Sequence, residues 1–475
     1  MKKNVKRMIS LVLCVIMLAG MCTVSASAES NKPYRYVSLG DSTSMGYILN
    51  DFEWSHNHPD GASAYANYAR VMDYLKNTWH IKNLEGLDLT LTGSRPTELR
   101  AILDKDFYGR FCDGNPSTDL NYCDQHLDGY MNDGTGKESY EQLNKKFTDA
   151  IANADLITYD LIMADQTSMA AGLAGNAKYY YGYASYSELL AAEGCEFLAE
   201  SVAALRAGLE AVLGDTAASL NGFIDSMLCA YVADVVNFTK SLDIIYKLNP
   251  DVNLIVVGPY NAFEGKSLYM DGIEINIEKV YGVLLEALTS YMVSDKHSWH
   301  YRFADCSGGV QTLNTALGNG ELDTYSYLVD QVLERSLGKN YKKAYSAEQI
   351  EAMKGNIQYA CSLRRISLDV ALNGAGNANL ALVGSEEATT QDYEALCMTV
   401  LTGLDHAAGT HPDIVGYQQK FEAIKRAFVS PVAANGAYLT RIIDNTVSIV
   451  NKVAASAVKT SVGIAGLAAK LIKIR

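Results

Sequence analysis

The chain has 475 residues, 48% of them apolar and 20% charged, a balance that supports a large folded core and excludes a disordered or fibrous polymer. Acidic residues number 54 against 40 basic ones, and the net charge of −14 argues against nucleic acid, itself a polyanion, as a partner. Residues 1–28 read as an export signal: a basic head (Lys2, Lys3, Lys6, Arg7), an apolar run from Met8 to Gly20, and the small-residue cleavage site Ala26-Ser27-Ala28. No later apolar run reaches the roughly 18 residues that a membrane-spanning helix needs. The expectation is a protein secreted or extracellular, held at most at the cell surface.

Beyond the signal, Tyr34 to Leu39 alternates and then runs apolar into Gly40-Asp41-Ser42, the pattern of a buried strand meeting a turn. Four more strands are expected at Leu87 to Thr92, Leu156 to Met163, Asn253 to Val257 and Arg302 to Asp305. Helical patterns separate most of them, and such alternation predicts an α/β fold whose parallel sheet is covered on both faces. Sites in such sheets lie beyond the carboxyl ends of the strands, where Ser42 and Gly93 both fall. Two long helical stretches interrupt the alternation, at about 170–245 and 312–398. In the first, Leu198, Val202, Leu205, Leu209 and Val212 form the stripe of an amphipathic helix, and a second apolar pattern runs from Phe223 to Phe238. No Pro- or Ser-rich linker bounds either stretch, so both read as insertions in one domain spanning 29–430.

Seven cysteines follow the signal: Cys112, Cys123, Cys195, Cys229, Cys306, Cys361 and Cys397. An odd number at wide spacing is not a disulfide framework. Cys112 and Cys123, which flank the turn-rich "CDGNPSTDLNYC", are the candidate pair; Cys195, Cys229 and Cys397 lie in apolar helical stretches, as buried thiols do. His56 and His58, and likewise His297 and His300, lack the clustered partners of a metal centre, so no metal is expected. Tyrosines crowd "KYYYGYASY", where a sugar-stacking surface and half-buried rings with wet hydroxyls both fit.

Toward the end stands "GTHPDIVGYQQKFEAI", a His-Pro pair followed by Gly416-Tyr417 and a helical pattern. Taken with "LGDSTSMGY" and "LTLTGSRPTELR", in that order, the chain resembles the SGNH (GDSL-type) hydrolases. These are esterases and lipases on a three-layer α/β/α fold. The resemblance implies Ser42 as nucleophile, His411 as its base, and the backbone N–H of Gly93 as an oxyanion donor. A serine hydroxyl needs a neighbouring imidazole to take its proton, and the attacked carbonyl becomes an oxyanion that needs N–H donors. Two departures from the family pattern stand out. In the third block, Ile162 and Ala164 stand where glycine and asparagine are usual, and only Asp165 is kept. The family's aspartate three residues before the histidine is Ala408 here, and Asp405 is the nearest substitute. The resemblance implies hydrolysis of a carboxylic ester, a small-molecule or polysaccharide ester or a lipid, with no cofactor. The alternative is a non-catalytic relative that binds carbohydrate or a cell-surface partner.

Residues 431–475 form a basic amphipathic tail. No acid follows Asp444, while Arg441, Lys452, Lys459 and Lys470 fall along one line of a helix and Leu439, Ile443, Val447 and Val450 along another. A terminal helix packed on the domain and a helix lying on an anionic surface both fit this pattern.

Overall fold

The computed structural model describes residues 32–47, 49–51, 63–111, 123, 127–128, 131, 138–161, 181–270, 273–293, 301–362, 365–367, 387 and 410–429. The export signal, Cys112, Cys397, the two histidine pairs and the basic tail lie outside them, as do the first three residues of "KYYYGYASY".

The chain alternates as the hydropathy pattern requires. Strand β1 (Tyr34–Gly40) leads to α1 (Asn67–Asn77), β2 (Leu84–Asp88), α2 (Pro96–Leu103), α3 (Lys105–Phe111), α4 (Tyr140–Asn153) and β3 (Leu156–Asp160). Then come α5 (Tyr186–Glu193), α6 (Ala199–Leu213), α7 (Asn221–Leu248) and β4 (Asn253–Val257). Short strands β5 (Ser267–Met270) and β6 (Ile273–Ile275), helix α8 (Ile277–Met292) and strand β7 (Arg302–Ala304) follow. The last described part holds α9 (Leu313–Gly318), α10 (Ser326–Leu337), α11 (Tyr341–Ala344), α12 (Ala347–Ser362), β8 (Arg365–Ser367) and α13 (Ile414–Val429).

Five strands pair in parallel in the order β2-β1-β3-β4-β7. The chain steps from β1 to one side for β2 and then to the other for β3. That reversal opens a crevice at the carboxyl ends of β1 and β3. Alternation along the strands divides the core in two. Tyr36, Leu156, Ile255 and Val257 face Val71 and Leu75 of α1 and Ile424 of α13. Val37, Leu39, Ile157, Tyr159 and Val256 belong to the opposite layer, with Ile102 of α2, Phe147 of α4 and Phe238 of α7. Three layers, α/β/α, result.

Helix α7 is buried on nearly every side from Phe223 to Phe238, and α6 buries Val202, Leu205, Leu209 and Leu213. A helix apolar all round belongs inside a protein, so α7 is part of the main core rather than an outlying addition. Leu213, not Val212, closes the α6 stripe.

Two elements differ from the sequence pattern. Strand β2 starts at Leu84 and ends at Asp88, three residues before the start and four before the end that the apolar run suggests, because it is an edge strand whose exposed Glu85 and half-buried Gly86 interrupt that run. The extended chain still follows β1 beyond it, with Leu89 and Leu91 N–H donating to the Ser38 and Gly40 carbonyls at 2.9 and 2.8 Å. A second sheet, β6-β5-β8, places a strand inside the stretch read as helical, since strands of three or four residues are too short to carry a period. Among the described residues no helix is long and apolar enough to cross a membrane.

The central sheet makes a stability prediction. Ile255 is 0% exposed and Phe197 is 66% exposed. Ile255→Ala should cost roughly 2–5 kcal/mol in urea unfolding, while Phe197→Ala should stay within about 0.5 kcal/mol.

Candidate active site

The carboxyl end of β1 passes into a turn whose backbone is almost fully engaged. Asp41 N–H donates to the Asp160 carbonyl at 3.1 Å, Ser44 N–H to the Asp41 carbonyl at 3.0 Å, and Met45 N–H to the Ser42 carbonyl at 3.4 Å. The Asp41 carboxylate accepts both the Thr43 N–H and the Thr43 hydroxyl at 2.7 Å. Asn67, the first residue of α1, donates its N–H to the Ser44 carbonyl at 2.9 Å. Among the described residues the Ser42 and Thr43 N–H groups meet no backbone acceptor, and of the two the Thr43 N–H is taken by Asp41 Oδ1. Such an uncommitted donor on a rigid turn is what a developing oxyanion needs.

His411 reaches this turn from the far end of the chain. Its Nε2 lies 2.8 Å from Ser42 Oγ, and the two residues are 3% and 7% exposed. The main chain around it is held on both sides: Tyr260 Oη donates to the Thr410 carbonyl, and Leu313 N–H to the His411 carbonyl, each at 3.0 Å. The Tyr47 ring packs 5.1 Å from the imidazole, tilted by 44°. Two residues later Asp413 caps α13, accepting the Gly416 N–H at 2.7 Å, while Gln311 Nε2 donates to its other oxygen at 2.7 Å. Any side chain at Gly416 would begin 2.0 Å from the Gln311 carbonyl, so glycine is what lets the helix seat against this loop. Asp413 thus serves the helix cap and the 311 loop.

Gly93 lies in the turn after β2 with φ +72°, a conformation glycine adopts without strain. That turn sits beside the Ser42 turn, joined to it by the Leu91–Gly40 bond and by Thr92 Oγ1 on Met45 Sδ at 3.5 Å. The buried pair Arg95–Glu98, at 2.6 Å, anchors the start of α2 just beyond it. The structure therefore brings Ser42 and His411 into contact and sets the Gly93 turn alongside. Asp165 and Asp405 lie outside the described residues.

Beneath the turn is a buried ionic cluster. Lys420 Nζ bonds Asp160 Oδ2 at 2.7 Å, and Asn67 Nδ2 donates to the same oxygen at 2.7 Å. Burial first, and then the Asp160 carboxylate, pushes Asp41 up to about 7, against the pull of Lys420 and of the Thr43 bonds. Asp41 Oδ2 meets no donor among the described residues. Asp160, Asn67 and Lys420 were not singled out by the sequence pattern, although one signal exists. Tyr417, Phe421, Ile424 and Phe428 form the apolar stripe of α13, and Lys420 falls on that stripe, where a cation is out of place. Among the described residues no group of three metal-ligating side chains gathers.

No protein-family model matches the chain, and no curated protein does. Among solved structures it is similar to the lipase Lip_vut3 from a goat rumen metagenome, at 13% identity over 58% of this chain and 81% of that one, with a TM-score of 0.28. It is also similar to an extracellular lipase from Streptomyces rimosus, at 11% identity over 58% and 86%, again with a TM-score of 0.28. Likenesses this slight do not bear on what the chain does.

Asp41 makes a pH prediction. An acid whose folded value stands near 7, against 3.8 for the ordinary group, keeps its proton longer in the folded chain. Its contribution to stability is full below about pH 4 and is lost as pH rises through about 7. Asp41→Asn removes that loss, so the variant's melting temperature should rise relative to the parent protein's between pH 5 and 8. A constant difference across that range would contradict the assignment.

Proposed function

We propose that this chain is an exported serine esterase of the SGNH type, acting on a carboxylic ester through an acyl-serine intermediate. The observation that carries the reading is the 2.8 Å contact between Ser42 Oγ and His411 Nε2, made at the crevice where the strand order reverses. In this reading His411 Nε2 takes the hydroxyl proton as Ser42 Oγ attacks the ester carbonyl, then returns it to the departing alcohol. The oxyanion is received by the Ser42 N–H and, from the neighbouring turn, by the Gly93 N–H. Asp165 and Asp405 are the candidates for the remaining family positions, with Asp405 orienting the imidazole. The basic tail keeps the exported protein near the cell surface.

A fluorophosphonate should label the protein once, and Ser42→Ala should abolish the labelling. His411→Gln should lower kcat on a short-chain aryl ester by roughly 10²–10⁴. Labelling that survives Ser42→Ala unchanged overturns the reading. A second consequence follows from Ala164, which stands in the place of an oxyanion donor worth roughly 10²–10³ in kcat. Turnover should be slow, and Ala164→Asn should raise kcat with little change in KM, because the donor acts in the transition state.

A further inference from the structure

Helix α13 does more than follow His411. Tyr417 and Lys420, three residues apart on one of its faces, are both 0% exposed and both reach the main chain of the Ser42 turn. Tyr417 Oη donates to the Ser42 carbonyl at 3.2 Å. Burial, with the Asp41 and Asp160 carboxylates nearby, pushes this phenol well above its ordinary value, so it stays a donor. Lys420 Nζ uses all three of its N–H bonds: on Asp160 Oδ2 at 2.7 Å, on the Thr43 carbonyl at 3.0 Å and on Thr43 Oγ1 at 3.0 Å. The Tyr260 ring lies 5.6 Å from the same ammonium.

A fully buried lysine is seldom kept for stability alone, because an apolar side chain of similar volume usually serves as well or better. Its acceptors here are the two oxygens of Thr43, the residue after Ser42, together with a carboxylate at the end of the neighbouring strand. The consequence for geometry is specific. The peptide joining Ser42 to Thr43 is held at both ends, its carbonyl by Tyr417 and its N–H by Asp41. The peptide before it is held through the Asp41 carbonyl, which accepts the Ser44 N–H at 3.0 Å and the Ser44 hydroxyl at 2.7 Å. With both planes set, the direction of the Ser42 N–H and the placement of Oγ are set as well. Helix α13, which starts three residues after His411, supplies the Tyr417 part of this hold.

We propose that Tyr417 and Lys420 are positioning residues for the esterase reaction, a clamp by which the helix that follows the base grips the main chain of the nucleophile's turn, with Asp160 as the counter-ion of Lys420. The inference rests on the esterase reading above. Neither side chain reaches solvent, so neither meets substrate. Their effect falls on the alignment of hydroxyl, imidazole and N–H donor in the transition state, where small displacements are costly. Loss of the clamp should therefore lower kcat and leave KM nearly unchanged.

The test counts active sites and measures turnover per site. Tyr417→Phe removes one hydroxyl and keeps the ring. Fluorophosphonate titration gives the number of competent Ser42 sites, and steady-state hydrolysis of a short-chain aryl ester gives kcat and KM per titrated site. The expected result is an unchanged number of sites, kcat per site and labelling rate lowered at least tenfold, and KM within twofold. Lys420→Met should behave alike in whatever fraction folds. A merely structural role predicts the reverse pattern, fewer sites that each turn over at the parental rate, and that result in Tyr417→Phe overturns the proposal. Failure of the parent protein itself to react at Ser42 would overturn the esterase reading, and this inference with it.

Discussion

Ser42 and His411 stand 369 residues apart in sequence, and the imidazole must nonetheless arrive within 2.8 Å of the hydroxyl. The geometry at the carboxyl end of the sheet depends on meeting that requirement. A parallel sheet with its reversal between β1 and β3 offers one open crevice, and the Ser42 turn leaves β1 into it. Helix α13 packs on the same sheet, over β4 and β7, through Phe421, Ile424 and Phe428, so the sheet whose β1 leads into Ser42 also supports the helix that follows His411. Apolar burial thereby supplies the free energy for a polar contact that neither side chain could hold alone.

The approach has an electrostatic cost. Asp41 and Asp160 bring two carboxyl groups into the core against the single cation of Lys420, and Asp41 responds by holding its proton up to about pH 7. Among the described residues Asp41 Oδ2 and Asn67 Oδ1 meet no partner, and the rest of the cluster is hydrogen-bonded. Thr43 Oγ1 donates to Asp41 and accepts from Lys420, so one hydroxyl passes the field from the lysine to the aspartate. A network satisfied in this way is rigid, because each group that moved would leave another buried and unpaired. Rigidity there is useful to a proposed catalytic turn and of little use elsewhere. The same economy appears at Arg95–Glu98, a second fully buried pair, which fixes the start of α2 beside the Gly93 turn.

Most of the sheet was legible from local pattern. Alternation placed Tyr34 to Leu39 and Asn253 to Val257 within a residue of the observed strands, since each buries side chains on both faces and its hydropathy says so. Strand β2 was misplaced by three residues at its start and four at its end because an edge strand needs only partial burial, and Glu85 and Gly86 conceal it. Strand β8 went unread inside a helical stretch because three residues carry no period. Gly-Asp-Ser and His-Pro pointed to Ser42 and His411 through residue type and chain order. Asn67 and Asp160 were invisible, being a helix start and a strand end of ordinary composition.

What the sequence determined by itself is therefore whatever rests on neighbours along the chain: the strand and helix periods and the order of the two polar motifs. These depend on backbone hydrogen bonds and on which face of an element is apolar, and both are written in short windows. The tertiary structure decided the rest: that Ser42 meets His411, that Lys420 turns inward onto Thr43 and Asp160, and that Asp41 keeps its proton. Each of these depends on removing water from groups contributed by β1, β3, α1 and α13 at once. Desolvation is a property of the assembled crevice, and no single segment carries it.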